Sequence, residues 1–407
     1  MRQIRHYETY FLNASHNVQM AIQLADPKYV PIFIEKLIKS CSGFHLKTDM
    51  KNLIYNGNNV EITALPHSIS STNDAVNWAV DYNSPHFDQS LATISANDSI
   101  IVINSNHLCC DGGFLKYILS HFNQDSQAAM FPRMIDDIFG EQMKRSPPAS
   151  THFENSDTLS RIPWEDNKRE NPELNETTWT KQIYLIHPAS HLKCFNKDTQ
   201  KMHGLTESLW TGLSLTLSAM GNTFNGTVGS NTCVNLRQLL DQNSIDLSIS
   251  NGYTRMNILA HNTKLNEKLS SVYRKLRKDF ETKKENGSFF TALKLNMNGF
   301  PSDPNPGSFG QVTNIGPLKI VYPISDFSIR QSVFCRAAER CFSLLSYSKI
   351  DKSRNDVILN LRYAPTVTSL STASKVAKSV EFFLTQIDEN TSVGDALTQL
   401  KDFQNNT

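Results

Sequence analysis

Between Ser99 and Phe122 the chain passes from strand to histidine to paired glycines to helix, and this passage constrains the fold more than any other. Ser99–Asn106 (S-I-I-V-I-N-S-N) is β-rich and reads as a buried strand. His107 stands at its C-terminal end, Asp111 follows four residues on, and Gly112-Gly113 lead into Phe114–Phe122, which has helical apolar spacing. An imidazole titrates near neutral pH, and a rigid strand end can hold it in a cleft. Glycines beside it let the backbone approach a ligand closely. The arrangement suits a general base. The same spacing also fits a packed core histidine, or two ligands of a metal site, although no third ligand stands at a diagnostic distance. Cys109 and Cys110 sit in the loop, but nothing in the sequence would activate either thiol, so both read as inert packing.

Around this passage, strand and helix signals alternate. Tyr7–Asn13 reads as a strand and Tyr29–Ser40 as a helix. Lys51–Tyr55 and Val60–Leu65 read as a hairpin around Asn56-Gly57. Asn73 is placed as the cap of a helix ending near Asn83. From Lys144 to Thr178 the apolar period fades into a polar crossing, and the signals then start again. Trp179–His187 and Gly226–Asn235 read as strands, and Thr206–Met220 as a helix capped by Thr206. Leu265 to Phe280 carry a long amphipathic stripe. Phe309–Gly316, Val333–Ser346 and Asp356–Tyr363 look extended, before a closing helix at Ser371–Ile387. The expected fold class is α+β, as two-layer α/β sandwiches, divided into 1–160 and 161–407 with a crossover segment near 295–325.

Composition removes competing classes. A net charge of +1, from 40 basic and 39 acidic residues, is not that of a nucleic-acid-coating protein. No apolar run approaches the roughly 18 residues of a membrane span, and the first residues, M-R-Q-I-R-H, hold no signal-peptide core. Seven cysteines without a CxxC pair fit reduced thiols. A cytoplasmic monomer without transmembrane segment or bound metal is expected.

The segment N-H-L-C-C-D-G-G-F-L resembles the HxxxDG motif of the CoA-dependent acyltransferase superfamily. That group includes chloramphenicol acetyltransferase, peptide-synthetase condensation domains, alcohol acetyltransferases and the plant BAHD enzymes. Further segments resemble the family in the same order. Phe87–Ala92 is similar to its F-D-x-x-x-x-L segment, and Leu205-Thr206 to the opening of the second lobe's core helix. Val234–Arg237 is similar to its N-x-R strand end, Val312–Gly316 to its S-N-x-G segment, and Asn360–Pro365 to its late strand. Two departures stand out. Asn106 occupies the place of the first of two adjacent histidines in condensation domains, and the plant D-F-G-W-G motif is absent, with Asp326-Phe327-Ser328 the nearest trace.

The resemblance implies two chloramphenicol-acetyltransferase-like lobes in a V, with an active-site tunnel between them and His107 at its midpoint. His107 would be the general base that takes a proton from a hydroxyl or amine of a small acceptor as it attacks an acyl-CoA thioester. Thr313 and Asn314 are the oxyanion candidates. Asp111 would pair with Arg237 across the lobe junction and, with Gly112, hold the loop rather than act in a triad. Acyl-CoA is the expected co-substrate, with no permanently bound cofactor. Y-R-K-L-R-K (273–278) is the densest basic run, but reads as the solvated face of a helix. The alternatives are a free-standing condensation-type amide or ester synthase drawing on a carrier-protein thioester, and a non-catalytic binding homologue.

Overall fold

Ile100–Asn106 lies in the middle of a five-stranded sheet, and all seven of its residues are buried. In this computed structural model the described residues are 1–57, 59–120, 131–148, 158–165, 177–240, 249, 251–298, 307–336 and 341–407. The sheet runs Ile324–Ser332, Asn17–Leu24, Ile100–Asn106, Ala92–Ala96, Ile62–Ala64, with only the last pair parallel. Both faces of the middle strand meet apolar partners, which explains its unalternated run. Ile101 and Ile103 pack with Phe33 and Leu37 of helix Val30–Ser40 and with Phe114 and Leu115 of helix Gly112–Ser120. Ile100 and Val102 pack with Ala75, Val76 and Ala79 of helix Thr72–Tyr82.

A second, seven-stranded sheet orders Lys181–Pro188, Asn355–Tyr363, Cys341–Ile350, Ser308–Lys319, Val228–Asn235 and Tyr253–Ala260, with Arg161–Ile162 pairing alongside Ser308-Phe309. Helix Leu205–Gly221 is buried almost all round, because helices Leu370–Gln386 and Val393–Asn405 cover the side turned from the sheet. Gly212 permits that approach: a Cβ there would stand 2.7 Å from a ring carbon of Phe383. The molecule is a mixed helix-and-sheet fold. Arg161 already pairs with the second sheet, which supports the division we propose at residues 160 and 161. The chain then returns: after Ser308–Lys319, Ile324–Ser332 adds itself to the edge of the first sheet.

Several sequence expectations need correction. Residues 6–13 form a helix, not a strand; Tyr7, Glu8, Phe11 and Leu12 are its buried face, and Glu8 accepts the Arg5 amide at its start. Asn56-Gly57 makes no hairpin. Asn52–Tyr55 pairs with Leu46–Thr48, whereas Ile62–Ala64 joins a different sheet beside Ala92–Ala96. Ser71, not Asn73, caps its helix by accepting the Asp74 amide. Gly204, in the left-handed region, precedes helix 205–221, so Thr206 is no cap. Leu265 is exposed ahead of the amphipathic helix, which spans Leu269–Glu285. Strands Tyr253–Ala260 and Ile324–Ser332 and helices Ser288–Met297 and Val393–Asn405 carried no recognised signal. Residues 121 and 122 of the expected Phe114–Phe122 helix, 337–340 of the Val333–Ser346 strand, and most of the polar crossing lie outside the described residues. No helix among the described residues is long and apolar enough to cross a membrane.

Candidate active site

His107 leaves the buried strand and lines a cavity of about 140 Å³ between the two sheets, which also receives Asp111, Gly112, Thr313 and Asn314. At roughly 10–15 Å³ per water this space holds on the order of ten waters, far more than a packing defect. The His107 main chain is clamped at both ends. Its N–H donates to the His16 carbonyl at 2.7 Å, and its carbonyl accepts the Asn251 side-chain amide at 3.0 Å. The ring stacks on Phe11 at 5.0 Å between centroids and 10° between planes, with Tyr253 at 5.3 Å. Asn106 contributes through the backbone: its amide group donates to the carbonyls of Phe11 and His16, and its oxygen accepts the Leu108 N–H. It ties the histidine loop to the first helix.

Asp111 faces away from the imidazole's chemistry. One carboxylate oxygen accepts the Phe114 N–H at 2.8 Å, at the start of helix 112–120. The other accepts Arg237 Nη1 at 2.9 Å and the Gly252 N–H at 2.8 Å. Arg237 in turn spends Nε and Nη2 on the Ile249 carbonyl. The pair is a fully bonded bracket between the motif loop and the second sheet. Two glycines make room for it, and neither is the one the motif singled out. A Cβ on Gly113 would lie 2.8 Å from Arg237 Nη1, and one on Gly252 would lie 3.0 Å from Arg237 Cγ and Cζ. Gly112 meets only Ile315 side-chain carbons, at 3.1 and 3.2 Å.

Across the cavity, Asn314 donates from Nδ2 to the Thr206 hydroxyl at 2.9 Å and accepts the Gly316 N–H at 3.0 Å, where the strand bulges. That bulge brings Asn314 to the cavity beside its neighbour Thr313, whose hydroxyl bonds the Cys233 thiol. Cys109 and Cys110 are buried, and burial above all pushes both thiols up, Cys110 to about 12. Neither is a thiolate at neutral pH. The basic run 273–278 lies on helix Leu269–Glu285, away from the cavity lining. No group of three potential ligands that could hold a metal stands among the described residues.

Sequence reasoning missed His16. Its ring lies 4.5 Å from that of His107, tilted by 56°, and it lines the same cavity. Both its ring nitrogens are buried without a hydrogen-bond partner. Burial first, then the charges of His107, Arg362 and Arg255, push its pKa well below the ordinary histidine value, so the ring is neutral. Condensation-type motifs carry two histidines side by side in sequence; here the second imidazole arrives from the turn between the first helix and strand Asn17–Leu24. His16 lies past the end of helix His6–Asn13, after the turn at Ala14-Ser15, so no local period places it.

Two buried sheets of this order, helices on their outer faces and a histidine loop at their junction make the chloramphenicol-acetyltransferase-like fold. Polyketide synthase associated protein 5 from Mycobacterium tuberculosis shares it with a TM-score of 0.64 at 13% identity, over 95% of this chain and 97% of that one. The starter condensation domain of rhizomide synthetase, in complex with C8-CoA, gives 0.60 at 10% identity, over 97% and 96%. TRI3 trichothecene 15-O-acetyltransferase from Fusarium sporotrichioides gives 0.59 at 13%, over 94% and 95%. No protein-family model and no curated protein sequence matches this chain.

Proposed function

We propose that the protein transfers an acyl group from an acyl-CoA thioester to the hydroxyl or amine of a small acceptor, with His107 as general base. One observation carries the reading: the His107 ring lines the inter-sheet cavity on a main chain held at both ends, while the neighbouring carboxylate is committed elsewhere. Such a ring is oriented without help from Asp111 and can take the acceptor proton directly. The thioester is already activated, so the two substrates need only meet in line, without an acyl-enzyme. Thr313 and Asn314, which line the same cavity, would donate to the tetrahedral oxyanion. Asp111, Gly112 and Arg237 act as structure around the site. The rhizomide synthetase starter domain binds C8-CoA and TRI3 is an O-acetyltransferase, which supports a CoA donor and an oxygen acceptor on this fold.

The test is thiol release from a series of acyl-CoAs, with and without alcohol and amine panels, in wild type and His107→Ala. A loss of about 10²–10⁴-fold with an unchanged melting temperature is expected. Retention of most of the rate overturns the assignment. Release from an acylated carrier protein but from no acyl-CoA replaces the donor and makes the protein a condensation-type synthase.

A further inference from the structure

Helix Gly112–Ser120, which the histidine motif opens, grips one residue of the second sheet in two ways. Gly112 and Lys116 stand four residues apart on one face of that helix. Gly112 meets the Ile315 side chain, whose Cδ1 lies 3.1 Å from where a Cβ would stand. Lys116 donates from Nζ to the Ile315 carbonyl at 3.2 Å. Ile315 is the residue that the sheet skips: the pairing of Ser308–Lys319 with Cys341–Ile350 jumps from Asn314 to Gly316. It is the extra residue of a β-bulge. Gly316 follows in the left-handed region, with φ of 84°, and a Cβ on it would stand 3.6 Å from Lys116 Nζ.

The bulge carries the site. Across it Asn314 Oδ1 accepts the Gly316 N–H at 3.0 Å, while Nδ2 donates to the Thr206 hydroxyl at 2.9 Å. Lys116, Thr313, Asn314 and Ile315 all line the cavity that receives His107. A lysine is a costly way to pack a helix against this strand. Burial lowers the pKa of its ammonium, and no acidic side chain among the described residues acts in the other direction. A leucine or methionine would cover the same surface without that desolvation. What the ammonium adds is a charge-assisted hydrogen bond to the carbonyl at the bulge.

We propose that Lys116 is a positioning residue of the transfer site: it fixes the Ile315 carbonyl, so holds the bulge, and through the bulge keeps Asn314 at the cavity. The proposal deepens the acyl-transfer reading and rests on it for the use of Asn314 as an oxyanion donor. Lys116 acts through Asn314 and not on the substrate. A displaced donor stabilises the developing charge less while changing ground-state binding little, so the loss falls on kcat.

Two readouts on the full chain test this. Hydrogen exchange, followed by mass spectrometry on peptides covering 310–318, reads the bulge without turnover. Lys116→Met removes a hydrogen bond from a charged group and should speed exchange at Gly316 by about tenfold or more. Lys116→Arg keeps donor and charge and should leave it near wild type. Thiol release from acyl-CoA reads the site. Lys116→Met should lower kcat by about tenfold with KM within about twofold, and Lys116→Arg should recover most of the rate. In an Asn314→Ala background, Lys116→Met should cost almost nothing further. Unchanged exchange in Lys116→Met overturns the proposal. A loss confined to KM, or one that adds fully to that of Asn314→Ala, overturns it by making Lys116 a substrate contact. Asn314→Ala at the wild-type rate overturns it as well. Faster exchange in Lys116→Met, with no thiol release by wild type from any acyl-CoA, sinks the acyl-transfer reading and keeps the brace on the bulge. Thiol release with unchanged exchange does the reverse.

Discussion

Two arginine-centred regions border the same cavity and could hardly be treated more differently by the fold. Arg237 meets Asp111 at 2.9 Å, finds the Ile249 carbonyl with its remaining nitrogens and is packed between Gly113 and Gly252. Arg330 and Arg362 are buried more deeply, repel each other, and leave at least one N–H of Arg330 unmade. The first region is finished within the chain. A buried charge with its partner built in is architecture, whereas a buried donor left unmade carries a desolvation cost.

That contrast breaks first, and hardest, through stability. Asp111→Ala and Arg237→Ala should each cost about 3–5 kcal/mol, because each strands the other's charge in a desolvated place. The double variant should cost little more than either single one, a strong coupling in a double-mutant cycle of denaturant unfolding. Arg330→Gln should cost less, since the Nε of Arg330 has no hydrogen-bond partner to lose. Additive losses at Asp111 and Arg237, or a comparable loss at Arg330, would erase the distinction.

The glycines sharpen it at smaller cost. Gly113→Ala would push a methyl to 2.8 Å from Arg237 Nη1 and 2.9 Å from Asn235 Nδ2. About 1–3 kcal/mol should be lost as the bracket shifts. Gly112→Ala meets only the flexible Ile315 side chain and gains helix propensity, so thermal melting should find it near neutral. Equal effects at the two positions would mean that the arginine bracket is loose.

The smallest effect at neutral pH concerns His16, which links the two regions by touching His107 and facing the charges of Arg255 and Arg362. Its folded pKa is depressed, so the unfolded chain binds the proton better. The native state keeps its full stability above the unfolded histidine value of about 6.5 and loses stability as pH falls below it. His16→Gln should flatten the dependence of unfolding free energy on pH between about 7 and 5 relative to wild type, by up to about 1.4 kcal/mol per pH unit. Parallel curves for the two proteins would show that His16 does not titrate across folding.

What the sequence determined by itself was local and covalent: a run of β-branched residues too apolar for any place but a sheet centre, the histidine at its end, and the Asp-Gly-Gly that turns it into a helix. Most helices were legible for the same reason, since an apolar face at helical spacing is written in consecutive residues. Signals failed where pairing is non-local. Asn56-Gly57 looks like a hairpin turn, yet the strands around it find partners in different sheets. Ile324–Ser332, with polar residues on an edge, shows its nature only beside Asn17–Leu24. The site divides along the same line. His107, Asp111, Gly112, Arg237, Thr313 and Asn314 lie in short segments with a recognisable pattern. His16, Gly113's obligation to the guanidinium, and the cluster of Arg255, Arg330 and Arg362 do not, because each depends on elements far apart in the chain meeting at one cavity. Burial and register, which decide whether a charge is solvated or paired, exist only once those elements are packed.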